Sequence, residues 1–298
     1  MHKDYDENVT VAATQMACSW DTQANIEHAE RLVREAAAKG AQIILLQELF
    51  ETPYFCIEIH ESYHALATQL EENEAFQRLS KLAKELEVVL PFSWFEKSGN
   101  VKFNSLAMID ADGSLLGTYR KTHIPDSDGY LEKYYFSPGD TGFKVWNTRY
   151  AKIGVGICWD QWFPETARSM ALQGAELLFF PTAIGSEPSQ PDMDSQPHWQ
   201  CVMQGHAAAN QIPVIASNRI GTEQAQYRDL ELTFFGSSFI TDYTGKIVAK
   251  ADRETSGVII HEFDLDNIQY QREAWGLFRD RRPEHYKPLL TLDGQVKG

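Results

Sequence analysis

The sequence predicts an α/β fold in which two similar layers pack face to face. Strand-like and helix-like segments alternate along the chain. A strand–helix–strand unit occurs twice, and its second strand opens as Gly40-Ala-Gln-Ile-Ile-Leu-Leu and again as Gly174-Ala-Glu-Leu-Leu-Phe-Phe. Residue class matches at every position of the two segments, although chance similarity between two buried strands is the alternative explanation.

The first half of the chain predicts three strands, two helices and a hairpin. Residues 21–39 carry apolar side chains at helical spacing, and Gly40 suits the end of that helix. Residues 41–46 form a short β-branched run, typical of a strand buried on both faces. The predicted elements are strand 9–14, helix 21–39, strand 41–46, helix 76–86, strand 88–93 and a hairpin of strands 104–110 and 115–120.

The second half predicts the repeated unit followed by a further helix, two strands and a second hairpin. These elements are strand 152–158, helix 164–173, strand 174–180, a helix ending at 207–210, strand 213–218, a hairpin of strands 235–241 and 247–250, and strand 257–263. No linker rich in Pro, Gly or Ser divides the chain, so we expect one domain over residues 1–298. We expect its polar tail, residues 275–298, to extend over a partner subunit.

Composition and charge narrow the class of protein. The 298 residues are 43% hydrophobic and 23% charged, which is typical of a globular protein. A formal net charge of −15 argues against nucleic acid and anionic membranes as partners. The cysteines form no C-x-x-C pair, the N-terminus is polar and acidic, and no apolar run reaches the roughly 18–20 residues that span a bilayer. We therefore expect a soluble cytoplasmic protein.

Cys158 is the most informative residue. An apolar run from Lys152, typical of a buried strand, ends at this cysteine, and a helix is predicted to follow at once. Unpaired N–H groups and the dipole at a helix N-terminus favour thiolate over thiol and can hold an oxyanion. The position suits a nucleophile. An inert core cysteine is the alternative, because free cysteines are among the most buried residues.

Two charged residues also follow predicted strands. Glu48 comes just after the strand that ends at Leu46, and Lys121 comes where a hairpin strand ends. Functional groups gather at the carboxyl ends of strands in open α/β sheets. Taken singly, a solvated side chain explains Glu48 equally well and Lys121 better. Together with Cys158 they suit acyl transfer at a C–N bond, with Glu48 as base, Cys158 as nucleophile and Lys121 stabilising the oxyanion.

The three segments that carry these residues resemble the signature regions of the nitrilase (carbon–nitrogen hydrolase) superfamily. They are Leu45-Leu-Gln-Glu-Leu-Phe, Tyr119-Arg-Lys-Thr-His-Ile-Pro and Gly156-Ile-Cys-Trp-Asp, in that order, and the resemblance extends to roughly residue 278. The resemblance implies a four-layer αββα sandwich that assembles through a dimer into larger homo-oligomers. It also implies the Glu–Lys–Cys roles given above, with no cofactor and no metal.

The resemblance assigns two further residues. Glu132 matches a second family glutamate, which would orient Lys121 and the substrate nitrogen, and the Trp159 N–H would be a second oxyanion donor. Within the family, the chain is most similar to amidases that hydrolyse the ureido group of a carbamoylated diamine to the diamine, CO2 and ammonia. The supporting stretches are residues 129–143, 159–165, 198–206 and 216–221.

Such a cationic ureido substrate needs an apolar wall and an acidic end to its pocket. The candidates for the wall are Tyr54, Phe55, Trp159 and Trp162, with core packing as the alternative. The candidates for the acidic end are Asp126, Asp128, Glu187, Asp192 and Asp194. Glu187 is the first choice, because it is nearest a predicted strand end on the Pro-rich loop 185–197.

Other functions are compatible with parts of the sequence. The string His60-Glu-Ser-Tyr-His64 matches the zinc-peptidase signature, which requires an α-helix and a third ligand. β-Ureido acids, other N-carbamoyl amines and simple amides are alternative substrates, and Arg219 and Lys133 are candidates for binding a substrate carboxylate. A non-catalytic binding protein is disfavoured, because all three catalytic residue types are present.

Overall fold

The computed structural model describes residues 8–296, which form fourteen strands and five α-helices. The strands are β1 (Asn8–Gln15), β2 (Ile43–Leu45), β3 (Leu90–Ser98), β4 (Val101–Ile109), β5 (Leu115–Arg120), β6 (Val145–Asn147), β7 (Lys152–Val155), β8 (Leu177–Pro181), β9 (Val214–Ser217), β10 (Ile220–Gln224), β11 (Glu231–Phe235), β12 (Phe239–Thr241), β13 (Ile247–Lys250) and β14 (Gly257–Asp264). The helices are α1 (Thr22–Ala38), α2 (Glu74–Leu86), α3 (Pro164–Leu172), α4 (Gln196–Asn210) and α5 (Leu265–Trp275).

Two layers of mixed sheet lie at the centre. One consists of two three-stranded sheets, β14-β1-β2 and β3-β4-β5, which are linked by backbone hydrogen bonds from Ile44 N to Val89 O and from Val89 N to Gln42 O just before β3 begins. The other has the order β13-β12-β9-β8-β7-β6, with β7, β8 and β9 parallel. The hairpin β10–β11 stands apart from both sheets.

Helices, sheet, sheet and helices form four layers, and an apolar cluster lies at each of the three boundaries between them, as expected for a four-layer αββα sandwich. Between the sheets, Val11 and Leu45 of the first pack with Val155 and Phe179 of the second. A second cluster joins α1 and α2 to the outer face of the first sheet, and a third joins α3 and α4 to the outer face of the second. The predicted fold class is confirmed.

The structure departs from the predicted elements at several places. Strand β7 ends at Val155, three residues earlier than predicted, although Gly156 N still donates to Phe179 O and Ile157 stays extended before the chain turns left-handed at Cys158. The hairpin β10–β11, the short strand β6 and helix α5 are not among the predicted elements. Helix α5 alternates buried Leu265 and Ile268 with many polar side chains, so its apolar pattern is weak. Among residues 8–296, no helix has the length and apolar character needed to cross a membrane.

Candidate active site

The ends of three strands bring Glu48, Lys121 and Cys158 into one cluster. Glu48 follows β2, Lys121 follows β5 and Cys158 follows β7. Lys121 Nζ lies 2.9 Å from Glu48 Oε1 and 2.7 Å from Glu132 Oε2. The two carboxylates and the ammonium are fully buried, and Cys158 is nearly so. The sequence separates these residues widely, and the two-sheet fold collects them.

Cys158 is held in a strained turn. Its φ is +43°, which is uncommon for a residue with a Cβ, and it begins a short 3-10 helix, Cys158–Trp162. Thr182 Oγ1 donates a hydrogen bond to Sγ at 3.1 Å. Burial raises the pKa of the thiol, the Glu48 carboxylate raises it further, and Lys121 opposes them. Without substrate the sulfur is therefore a neutral thiol that needs a proton acceptor.

Of the two carboxylate oxygens of Glu48, one is hydrogen-bonded to other side chains and one is not hydrogen-bonded to any described residue. Oε1 accepts from Asn104 Nδ2 at 2.7 Å and from Lys121 Nζ. Oε2 is buried and has no hydrogen-bond partner among residues 8–296. A carboxylate oxygen that accepts no hydrogen bond from the protein keeps its full acceptor capacity. This oxygen is available to accept a proton.

Lys121 stays charged because two acids flank it. Burial alone would lower the pKa of its ammonium, but Glu132 and Glu48 together outweigh burial and raise that pKa well above its usual value. Burial raises the pKa of Glu132 to about 7, against the lowering effect of Lys121. Tyr54 Oη donates to Glu132 Oε1 at 2.6 Å, so both Glu132 oxygens are hydrogen-bonded.

Asp160 ties the cysteine turn to the segment that carries Lys121. Its buried carboxylate accepts from Ile157 N at 3.0 Å, next to the cysteine. It also accepts from Tyr119 Oη at 2.7 Å and from His123 N at 3.0 Å, two residues to either side of the lysine. One carboxylate thus fixes two of the converging segments relative to each other.

The aromatic candidates for the substrate wall occupy different environments. Trp159 is 39% exposed, and Trp162 lies beside it with ring centroids 6.2 Å apart. Tyr54 is fully buried, and its hydroxyl is committed to Glu132. Tyr54 therefore holds Glu132 from inside the protein. Trp159, next to Cys158 in the sequence, has an aromatic ring that is open to solvent.

The acidic candidates also differ. Glu187 is half-buried on the loop after β8, where Ser195 Oγ donates to it and burial raises its pKa. Tyr130 Oη donates at 3.1 Å to the backbone carbonyl of Ser186, the residue before Glu187, and the Tyr130 ring centroid lies 5.8 Å from that of Tyr54. The loop that carries Glu187 is thus joined through Tyr130 to Tyr54 of the cluster. The structure places Asp128 at the surface, where it forms an ion pair with Arg228 at 2.9 Å.

The string from His60 to His64 does not form a metal-binding helix. Glu61–Leu66 is a 3-10 helix, and His60 precedes it with its ring stacked on Tyr227 at 3.5 Å. Within the described chain, no group of three or more His, Cys, Asp and Glu side chains is arranged to hold a metal ion. The geometry therefore gives the zinc-peptidase interpretation no support.

Sequence reasoning did not identify Asn104, Thr182 or Asp160 as parts of the cluster. Thr182 directly follows β8, so the strand-end argument applied to Glu48 also covers it. Asp160 stands two residues after the cysteine, where an acid in the first turn is a recognisable cap. Asn104 lies within β4, and the sequence of that strand does not mark it as a cluster residue, because its partner Glu48 is 56 residues away.

Comparison with known proteins places this arrangement in a family. The carbon-nitrogen hydrolase family model matches residues 10–273. An N-carbamoylputrescine amidase from Arabidopsis thaliana is 57% identical over 290 residues, covering 97% of each chain. A citrullinase from Francisella tularensis is 54% identical, covering 95% of this chain and 98% of its own. The crystal structure of a carbon-nitrogen hydrolase from Helicobacter pylori G27 superposes with a TM-score of 0.89 at 38% identity, covering 96% of this chain and 99% of that one.

Proposed function

The chain belongs to the carbon–nitrogen hydrolase family, and we propose that it hydrolyses N-carbamoylputrescine to putrescine, CO2 and ammonia. The observation that carries the reaction class is the buried contact of Lys121 with both Glu48 and Glu132 beside the Cys158 thiol. The substrate is supported by N-carbamoylputrescine amidases that are 57–58% identical over nearly the whole chain.

In the proposed mechanism, Glu48 takes the proton of the Cys158 thiol as sulfur bonds to the ureido carbon. Lys121 Nζ and the Trp159 backbone N–H stabilise the oxyanion of the tetrahedral intermediate. One C–N bond then breaks, and the departing nitrogen receives the proton from Glu48. Glu132 keeps Lys121 charged and oriented.

The second half of the reaction consumes one water. Glu48 takes a proton from that water. The water oxygen then attacks the thiol-linked carbamoyl carbon, and the C–S bond breaks. The sulfur is reprotonated, and the released carbamic acid decomposes to CO2 and the second amine. One ureido group and one water thus yield CO2 and two amines, of which one is ammonia.

Citrulline is a second candidate substrate, favoured by the citrullinase that is 54% identical. It carries the same ureido head, but its distal end adds a carboxylate that requires a cation. Arg219 does not supply one, because it is fully buried and its guanidinium is bound to Glu223 and backbone carbonyls. Arg228 is paired with Asp128. The half-buried Glu187 instead suits a substrate whose far end is only cationic.

Substrate preference and the role of Glu187 are tested by ammonia release from N-carbamoylputrescine, citrulline, N-carbamoyl-β-alanine, an aliphatic amide and neutral butylurea. We expect N-carbamoylputrescine to give the highest kcat/KM. Glu187→Gln should raise the KM for that substrate about tenfold, the effect of losing roughly 1.4 kcal/mol of ion pairing, while kcat stays within about twofold. Its KM for butylurea should not change, because butylurea has no ammonium.

Asp128→Asn is the matched control for this experiment, since Asp128 already pairs with Arg228 at the surface. It should leave the KM for N-carbamoylputrescine and for butylurea unchanged. An unaltered KM for N-carbamoylputrescine in Glu187→Gln would overturn the assignment of the acidic end. Better turnover of citrulline or N-carbamoyl-β-alanine would overturn the substrate and leave the reaction class intact.

We also propose that the chain forms a homo-oligomer through residues 275–298. The described part of this tail exposes large apolar side chains, among them Trp275, Leu289, Leu290 at 88% exposure, and Leu292. Sedimentation of the full chain should give a dimer or a larger species at micromolar concentration. Leu290→Glu with Leu292→Glu should shift the mass toward the monomer. A monomeric wild type would contradict the proposal.

A reducing compartment, the cytoplasm, is proposed as the location. All four cysteines, Cys18, Cys56, Cys158 and Cys201, are free thiols. The proposed mechanism requires Cys158 to remain reduced, and reducing compartments preserve that state.

A further inference from the structure

A buried guanidinium lies under the turn that carries Glu48. Arg219 Nη2 donates to Glu48 O at 3.0 Å and to Leu49 O at 2.9 Å. Arg219 Nη1 donates to Thr52 O at 3.1 Å and to Glu223 Oε1 at 2.7 Å. One side chain therefore binds three backbone carbonyls of the turn formed by residues 48–52, about 170 residues earlier in the sequence.

The turn needs such a partner because of its backbone conformation. Leu49 has a φ of +49°, a conformation that residues with a Cβ rarely adopt unless the surroundings impose it. The side chains of Glu48 and Leu49 are buried, so the guanidinium pairs carbonyls that would otherwise be costly inside the protein. Only a planar, forked donor reaches several carbonyls at once, which is the property that distinguishes arginine from lysine.

The other half of the ion pair supports the second carboxylate of the cluster. Glu223 Oε2 accepts the backbone N–H of Tyr54, and the hydroxyl of Tyr54 donates to Glu132 Oε1. The contacts thus form a closed ring. Arg219 binds the Glu48 backbone, Glu48 binds Lys121, and Lys121 binds Glu132. Glu132 binds Tyr54, whose backbone binds Glu223, and Glu223 binds Arg219.

We propose that the buried Arg219–Glu223 pair is a positioning device for the catalytic cluster. Arg219 fixes the backbone of Glu48, and Glu223 fixes the backbone of Tyr54 and thereby Glu132, so the pair sets both carboxylates against Lys121 Nζ. Arg219 is fully buried and Glu223 nearly so, and both bind protein groups, so the pair acts on the cluster through the backbone. The inference rests on the proposed function only in taking Glu48, Lys121 and Cys158 as the reacting groups, and it holds for whichever ureido compound or amide the enzyme prefers.

Arg219→Lys tests the proposal. Lysine keeps the positive charge but cannot fork between the carbonyls, so the Glu48 carboxylate should move relative to the sulfur. Because displacements of about 1 Å cost on the order of 100-fold in rate, we expect kcat to fall 10- to 100-fold, roughly. KM should change less than about threefold, since the substrate contacts are intact. The readouts are kcat and KM on the best wild-type substrate, together with the melting temperature.

Arg78→Lys is the matched control. Arg78 forms a similar forked pair with Glu30, at 2.8 and 2.6 Å, but between α1 and α2 on the outside of the sandwich. It should lower the melting temperature without changing kcat. A purely structural role for Arg219 would give the same pattern, with kcat of the folded fraction unchanged, and that result would overturn the proposal.

Glu223→Gln keeps the proposal testable if Arg219→Lys does not fold. Glutamine preserves the shape but leaves the guanidinium without its counter-charge, so kcat should fall about tenfold with KM preserved, a loss typical of a residue that supports the reacting groups. An unchanged kcat in this variant would also overturn the positioning role. A wild-type chain that hydrolyses none of the tested ureido compounds or amides would instead contradict the proposed function.

Discussion

Cys158→Ala is expected to reduce kcat on N-carbamoylputrescine by about 10⁵- to 10⁶-fold, as removal of a catalytic nucleophile does in other hydrolases. Alanine removes the sulfur and leaves the buried pairs of Lys121 with Glu48 and Glu132 intact. Substrate binding should therefore persist, with a dissociation constant near the wild-type KM. Ammonia release and calorimetric titration of the variant measure the two quantities.

Cys201→Ala provides the control for this variant. Cys201 is an exposed free thiol on α4, outside the cluster. Its replacement should leave kcat unchanged and remove an alternative target of alkylating reagents. Retention of more than a few per cent of the wild-type turnover in Cys158→Ala would mean that another group attacks the ureido carbon.

The converging residues could be predicted because each follows a strand. The sequence predicts a strand directly before each of Glu48, Lys121 and Cys158, and the structure has strands there. Functional groups in an α/β fold gather at the carboxyl ends of its strands. The repeated strand–helix–strand unit similarly predicted two layers. Both inferences depend on local periodicity, which a single sequence displays.

The remaining features depend on partners that are distant in sequence. Asp128 was a candidate for the substrate pocket, but the structure pairs it with Arg228, 100 residues later. Arg219 was a candidate for binding a substrate carboxylate, but the fold surrounds it with carbonyls from the Glu48 turn. Tyr54 was a candidate for the substrate wall, but its ring is buried and its hydroxyl donates to Glu132, 78 residues later. No pattern within a segment indicates which remote group will neutralise a charge.

The raised pKa of the Cys158 thiol explains why loss of Glu48 should also lower the rate strongly. Burial and the Glu48 charge raise the pKa of Cys158 above its usual value, so near neutral pH almost every molecule holds a protonated sulfur. Attack then requires a base in the same cluster. Glu48 Oε2, buried and without a partner in the described structure, is the available acceptor.

Glu48→Gln removes that oxygen. Glutamine keeps Oε1 as the acceptor for Asn104 and Lys121, replaces Oε2 with an amide NH2 that cannot accept a proton, and removes one of the two negative charges beside Lys121. We expect kcat to fall by about 10³- to 10⁴-fold, near the upper range for loss of a general base. Glu51→Gln, which alters a second acid of the same turn that binds Asn73, is the control and should keep kcat near the wild-type value.

The residual activity of Glu48→Gln should depend on pH in a defined direction. Without the base, reaction requires the preformed thiolate, whose population rises about tenfold per pH unit below the thiol pKa. Residual turnover, and alkylation of Cys158 by iodoacetamide in the Cys201→Ala background, should therefore increase about tenfold from pH 7 to pH 8 and again to pH 9. A kcat within tenfold of the wild type, or a residual rate that is flat over this range, would show that the thiol loses its proton by another route. Because Oε2 is the carboxylate oxygen of the cluster that has no partner among the described residues, such a result would remove the structural basis for assigning the base to Glu48.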